Sequence, residues 1–177
     1  MNLASINEKI ASCTLCALSQ SRTLAVPGEG PSDAKIMLIG EAPGREEDLS
    51  GRPFVGRAGK LLDECLREAG IARREIFITS VIKCRPPNNR KPSRAEIRAC
   101  GMYLREQIDL INPDVIGLLG NVAASAILGR QGITALRGKF FEDRFLVTFH
   151  PAAIVRNKNL KSDFISDLIK IRESAEQ

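Results

Sequence analysis

Four compact apolar runs limit what this chain can become. Lys35-Ile36-Met37-Leu38-Ile39-Gly40 stops at a glycine, and Glu75 to Ile82, Val115 to Leu119 and Arg144 to Phe149 are β-rich in the same way. Runs of this kind read as strands covered on both faces, the habit of parallel sheets. Helical patterns separate them. Ala58 to Ala69 sets Leu61, Leu62, Cys65, Leu66 and Ala69 on one face and stops at Gly70. Ser93 with Glu96 three residues on is a capping-box signature opening a helix to about Ile111. Val122 to Leu128 and Lys161 to Glu173 complete the series. The alternation predicts an α/β fold: a single domain over residues 1–177 with a central, mostly parallel four-stranded sheet flanked by helices. Gly138 to His150 reads as a short hairpin arm leading into the fourth strand.

Ligands of open α/β sheets sit beyond the carboxyl ends of the strands. Three loops leave those ends: Glu41 to Gly59, Lys83 to Pro92, and His150 to Asn157. They are also the compositionally odd segments. Lys83 to Lys91 holds four cations, no acid and two adjacent prolines, so it reads as an exposed basic loop able to meet phosphates. The third loop begins at His150, the one histidine of the chain. Alone it is more readily a polar residue stranded at a strand end; its place at the carboxyl edge makes it a candidate for chemistry.

The net charge of +5 permits nucleic-acid binding without establishing it. No apolar run has the length of a membrane span, and the first residues lack a secretory pattern, so a cytoplasmic setting without membrane contact is expected. In that setting the five cysteines are not expected to form structural disulfides. Cys65 lies on an apolar helix face and reads as core. Cys13 and Cys16 form a C-x2-C pair; Cys84 and Cys100 stand apart. Four thiolates suggest a metal site, and the spacing leaves an iron–sulfur cluster, zinc and a redox-active C-x2-C open.

Taken together, Gly40-Glu41-Ala42-Pro43-Gly44, Glu46-Glu47-Asp48, Gly51-Arg52-Pro53-Phe54-Val55-Gly56-Arg57-Ala58-Gly59, Lys83-Cys84-Arg85-Pro86-Pro87 and His150-Pro151-Ala152-Ala153 resemble, in order, the signatures of the iron–sulfur uracil-DNA glycosylases, the thermostable-type family four. The resemblance spans nearly the whole chain. It implies a monofunctional enzyme that hydrolyses the N-glycosidic bond of uracil in single- or double-stranded DNA, initiates base excision repair, and acts as a monomer. It further implies a [4Fe–4S] cluster on Cys13, Cys16, Cys84 and Cys100. One position departs: Ser80 stands where the family usually carries an asparagine that reads the base. That leaves open an altered or weakened base preference, with Asn89 or a water compensating, or a cluster-bearing DNA-binding protein that senses lesions without cutting.

A glycosylase needs a slot for a flipped base, a donor for the departing anion, a carboxylate near sugar and water, and grips on phosphates. Gly40, Phe54, Ser80 and Asn89 are expected around the base, with Phe54 stacking. His150 is expected as the neutral donor, Glu47 to hold the water and Glu41 to position it. Glu46 and Asp48 read as solvated loop acids. Arg85, Arg90, Lys91 and Arg156 are expected on the DNA backbone, and Ile154 or Val155 as an apolar wedge behind the flipped nucleotide.

Overall fold

The computed structural model describes all of residues 1–177. Its sheet comprises β1 (Ile36–Gly40), β2 (Phe77–Ser80), β3 (Val115–Leu119), β4 (Phe140–Phe141) and β5 (Phe145–Thr148) in the order β2-β1-β3-β5-β4. β1, β2, β3 and β5 are parallel, and β4 pairs antiparallel with β5. The four parallel strands are those expected. The fifth is the two-residue arm of the predicted hairpin, which does add to the sheet edge, Phe140 opposite Leu146. All residues of β1, β2 and β3 are buried, which explains why β1 and β3 read as unbroken apolar runs.

The helices are α1 (Leu3–Ala11), α2 (Leu18–Ser21), α3 (Arg45–Ser50), α4 (Arg57–Glu68), α5 (Arg94–Ile111), α6 (Asn121–Leu128), α7 (Ile133–Leu136), α8 (Pro151–Arg156) and α9 (Lys161–Ala175). One core layer joins Leu38, Leu62, Cys65, Leu66, Phe164 and Leu168; the other joins Met37, Ile39, Phe77, Leu104, Ile116 and Ala123. Cys65 is fully buried in the first, as its helix face predicts. No helix is long and apolar enough to cross a membrane.

Two of the three carboxyl-end loops contain short α-helices, and the third a single 3-10 turn at Pro87–Asn89. Gly44 opens α3 inside the first, and His150 caps α8, with Pro151 at a position where its missing N–H costs nothing. Successive strands leave β1 on opposite sides, toward β2 and then β3, so the crevice at their carboxyl ends is a topological switch point.

Candidate active site

That crevice is a cleft of about 410 Å³. Glu41, Glu47, Phe54, Ser80, Asn89, Arg90, His150 and Arg156 all line it, contributed by all three loops and the end of β2. Gly40 lies just beneath: a Cβ there would come within 2.5 Å of the Phe54 ring. Only glycine lets the aromatic lie this close to the strand end.

His150 is fixed by its role as a cap. Nδ1 accepts the Ala152 N–H at 3.0 Å, so in the neutral ring the proton sits on Nε2. The ring is 5.6 Å from that of Phe54, centre to centre. Protein encloses it except where it faces the cleft. Burial, then the Arg156 charge, push its pKa down to about 4, and Glu47 only partly opposes them. The imidazole is therefore an uncharged donor at neutral pH. Below pH 6.5 an unfolded chain takes up a proton that the folded one refuses, so stability falls as pH drops from about 6.5 toward 4. The loss is on the order of 2–3 kcal/mol. A denaturant titration between those pH values should show it, and His150→Asn should remove it; the same slope in that variant would assign the effect elsewhere.

The two glutamates are in different situations. Glu47 Oε1 accepts from Gly44 N at 3.0 Å, while Oε2 accepts from Val55 N at 2.9 Å and Gly56 N at 2.7 Å. Its carboxylate ties the loop together. The Glu41 carboxylate makes no hydrogen bond or ion pair within the chain; burial raises its pKa, offset in part by Lys91. Asp48, expected in solvent, is buried and accepts the Thr23 N–H at 2.8 Å. Glu46 is exposed, as expected.

The basic loop divides. Pro87 to Lys91 is exposed, but Lys83 is 1% exposed, so its charge is not on the surface. Its Nζ donates to Thr79 Oγ1, Ser80 O and Gln107 Oε1 at 2.6–2.7 Å. Arg85 Nε donates to Asn89 Oδ1 at 2.7 Å, turning the free amide NH2 of Asn89 to other partners. Arg90 is held by Glu96 at 2.6 Å, which reduces its charge toward an anion, while Lys91 is exposed and forms no ion pair. Ile154 is fully buried with Phe149 and Leu62 in the core and does not reach a duplex; Val155 beside it is half-buried. Helical geometry turns one of two adjacent apolar residues inward, which a loop reading did not anticipate.

A second, apolar cavity is lined by Cys13, Cys16, Cys84 and Cys100, brought from the turn after α1, the bend before α2, the exit of β2 and the middle of α5. All are free thiols. No three His, Cys, Asp or Glu groups are arranged to hold a single metal ion; the sulfurs ring a gap. Donors face them: Arg22 Nη1 lies 3.2 Å from Cys84 Sγ, Leu15 N 3.5 Å from Cys13 Sγ, and the Lys83 N–H bonds Cys100. Burial pushes the Cys100 thiol up to about 11 and raises Cys84. Such thiols ionise when a metal takes the proton's place. Lys83 has no carboxylate partner, although burial lowers its pKa to about 7. A bound anionic centre would supply that countercharge, so the residues fit a thiolate-ligated cofactor.

The sequence model of the uracil DNA glycosylase superfamily matches residues 27–170. The type-4 uracil-DNA glycosylase of Sulfurisphaera tokodaii is 48% identical, over 98% of this chain and 85% of its own. Those of Thermotoga maritima and Archaeoglobus fulgidus are 45% and 43% identical, over 94% and 97% of this chain and 91% and 92% of theirs. With the cleft at the switch point and similarity along nearly the full length, the chain belongs to the uracil-DNA glycosylase superfamily and, within it, to the type-4 uracil-DNA glycosylases.

Proposed function

We propose that this protein is a monofunctional DNA glycosylase that removes uracil from DNA by hydrolysis, leaving an abasic site for base excision repair. The observation that carries the reading is the cleft itself. An aromatic face, an uncharged imidazole with its proton on Nε2 and an unpaired, half-buried carboxylate share one recess of about 410 Å³.

The flipped base stacks on Phe54. As the C1′–N bond lengthens, negative charge grows on the base oxygens and positive charge on the sugar. His150 Nε2–H donates to the base without giving up its proton, since an imidazole this hard to protonate is a poor acid–base shuttle but a good fixed dipole. We assign the attacking water to Glu41, reversing the division that the sequence suggests. Its oxygens make no bond within the chain, and burial raises its pKa. Glu47, with its amides already in place, holds the loop that carries Phe54. No lysine lines the cleft, in keeping with water as nucleophile.

Lys91 and Arg156, unpaired and exposed, are the phosphate grips; Arg85 acts through Asn89; Val155 is the wedge. Cys13, Cys16, Cys84 and Cys100 would hold a [4Fe–4S] cluster. When bound it cross-links the N-terminal segment, the β2 exit and α5. DNA is the partner, met by a single chain in a cytoplasmic setting that keeps thiols reduced.

The test is cleavage of a fluorescent uracil-containing oligonucleotide, read after alkali, against other damaged bases. Binding without cleavage would favour a lesion sensor. Ser80 lines the cleft beside Gly40 and Phe54, and its shorter hydroxyl offers one donor where an amide offers two. Ser80→Asn is expected to raise kcat/KM on uracil by roughly tenfold, the scale of one added hydrogen bond to the base. An unchanged value would remove Ser80 from base recognition.

A further inference from the structure

Phe54 is held in an unusual way. Its φ of 47° lies in the left-handed region that bulky side chains rarely enter. A left-handed residue turns its carbonyl to the same side as the preceding one, where in an extended chain the two would point apart. Here both converge on one guanidinium: Arg73 Nη2 donates to Pro53 O at 2.6 Å, and Nη1 to Phe54 O at 2.9 Å. Arg73 is itself anchored, Nη1 donating to Asp63 Oδ1 of α4 at 2.7 Å. On the other side of the turn, Glu47 accepts the next two amides, Val55 and Gly56. A Cβ at Gly59 would come within 2.0 Å of the Phe54 carbonyl oxygen, so only a glycine there leaves that carbonyl room to meet Arg73. A cationic fork takes the carbonyls, an anionic fork the amides, and the ring between them lies on the wall of the cleft.

Arg73 does not line the cleft and is 21% exposed. Its planar fork is what the paired carbonyls require; a lysine would reach one of them.

We propose that Arg73 is a positioning residue for base recognition: it clamps Phe54 in its left-handed turn and so sets the plane on which uracil stacks. The proposal rests on Phe54 being the stacking face.

A double-mutant cycle in the full chain tests it, with Arg73→Ala, Phe54→Ala and the pair. The readouts are the inhibition constant of free uracil, kcat and KM on a uracil-containing oligonucleotide, and Tm. Arg73→Ala should weaken free uracil by about tenfold, the scale of one lost stacking contact. KM should rise more than kcat falls. In the Phe54→Ala background the same change should cost nothing more, and Arg73→Lys should fall between wild type and alanine. Losses that multiply, or a fall in Tm with uracil affinity intact, would overturn the clamp while leaving the stacking role standing. Unchanged uracil affinity in Phe54→Ala alone would sink the stacking role and the clamp with it.

Discussion

His150→Ala is expected to lower kcat on a uracil-containing oligonucleotide by about 10²–10³-fold, the usual loss for one donor aimed at a developing oxyanion. KM should move little, because the bond strengthens only as charge builds on the leaving base. The substitution also removes the cap of α8, where Nδ1 takes the Ala152 N–H, so about 1 kcal/mol of stability should go with it. His150→Asn separates the two roles. An asparagine oxygen can cap the same amide and should restore the stability, but the shorter side chain does not carry its N–H to where Nε2 stands, and the rate should stay low. The wild-type pH profile of kcat/KM should show no inflection near 6.5, since the pKa is held down to about 4. Wild-type activity in the alanine variant, or an acid limb at 6.5 that vanishes with it, would end the neutral-donor account.

Cys84→Ala should have the larger effect on the fold. In the proposed cofactor site the four sulfurs bring the countercharge for Lys83, which is fully buried, and for Arg22, whose guanidinium lies against Cys84. Without that centre, a buried ammonium keeps only neutral acceptors from Thr79, Ser80 and Gln107. Stranding a buried charge costs about 3–5 kcal/mol, which for a chain of this size is a Tm drop on the order of 10 °C. The purified wild type should be brown and contain iron and inorganic sulfide; the variant should lose colour and Tm together. Because Lys83 also bonds Ser80 O at the cleft edge, uracil affinity should weaken as well. A colourless wild type rich in zinc would reassign the site, and an unchanged Tm in the variant would deny it a structural role.

Much of this architecture is legible before any coordinate. Four buried runs with helices between them admit few arrangements other than a parallel sheet, and the α4 and α5 boundaries follow from Gly70 and the Ser93–Glu96 box. The carboxyl-end rule then puts Glu41, Phe54 and His150 near one another. The short helices α3 and α8 were harder, because six residues carry too little periodicity to register; the Pro151 that follows His150 was the available signal. Arg73 and Lys83 carry no local sign of their roles. One is nineteen residues from the carbonyl it holds, and the other sits in a basic stretch that looks solvated.

Periodicity, breakers and spacing are properties of neighbours along the chain, so the order of elements, the parallel sheet and the three loops that meet at its edge were decided by the sequence alone. Which nitrogen of His150 bears the proton, which glutamate is free, which of Ile154 and Val155 faces outward, and that Lys83 is buried were decided only by tertiary structure. Each depends on a partner distant in sequence or on the exclusion of water, and free energies of burial and hydrogen bonding exist only once the chain has closed around the group.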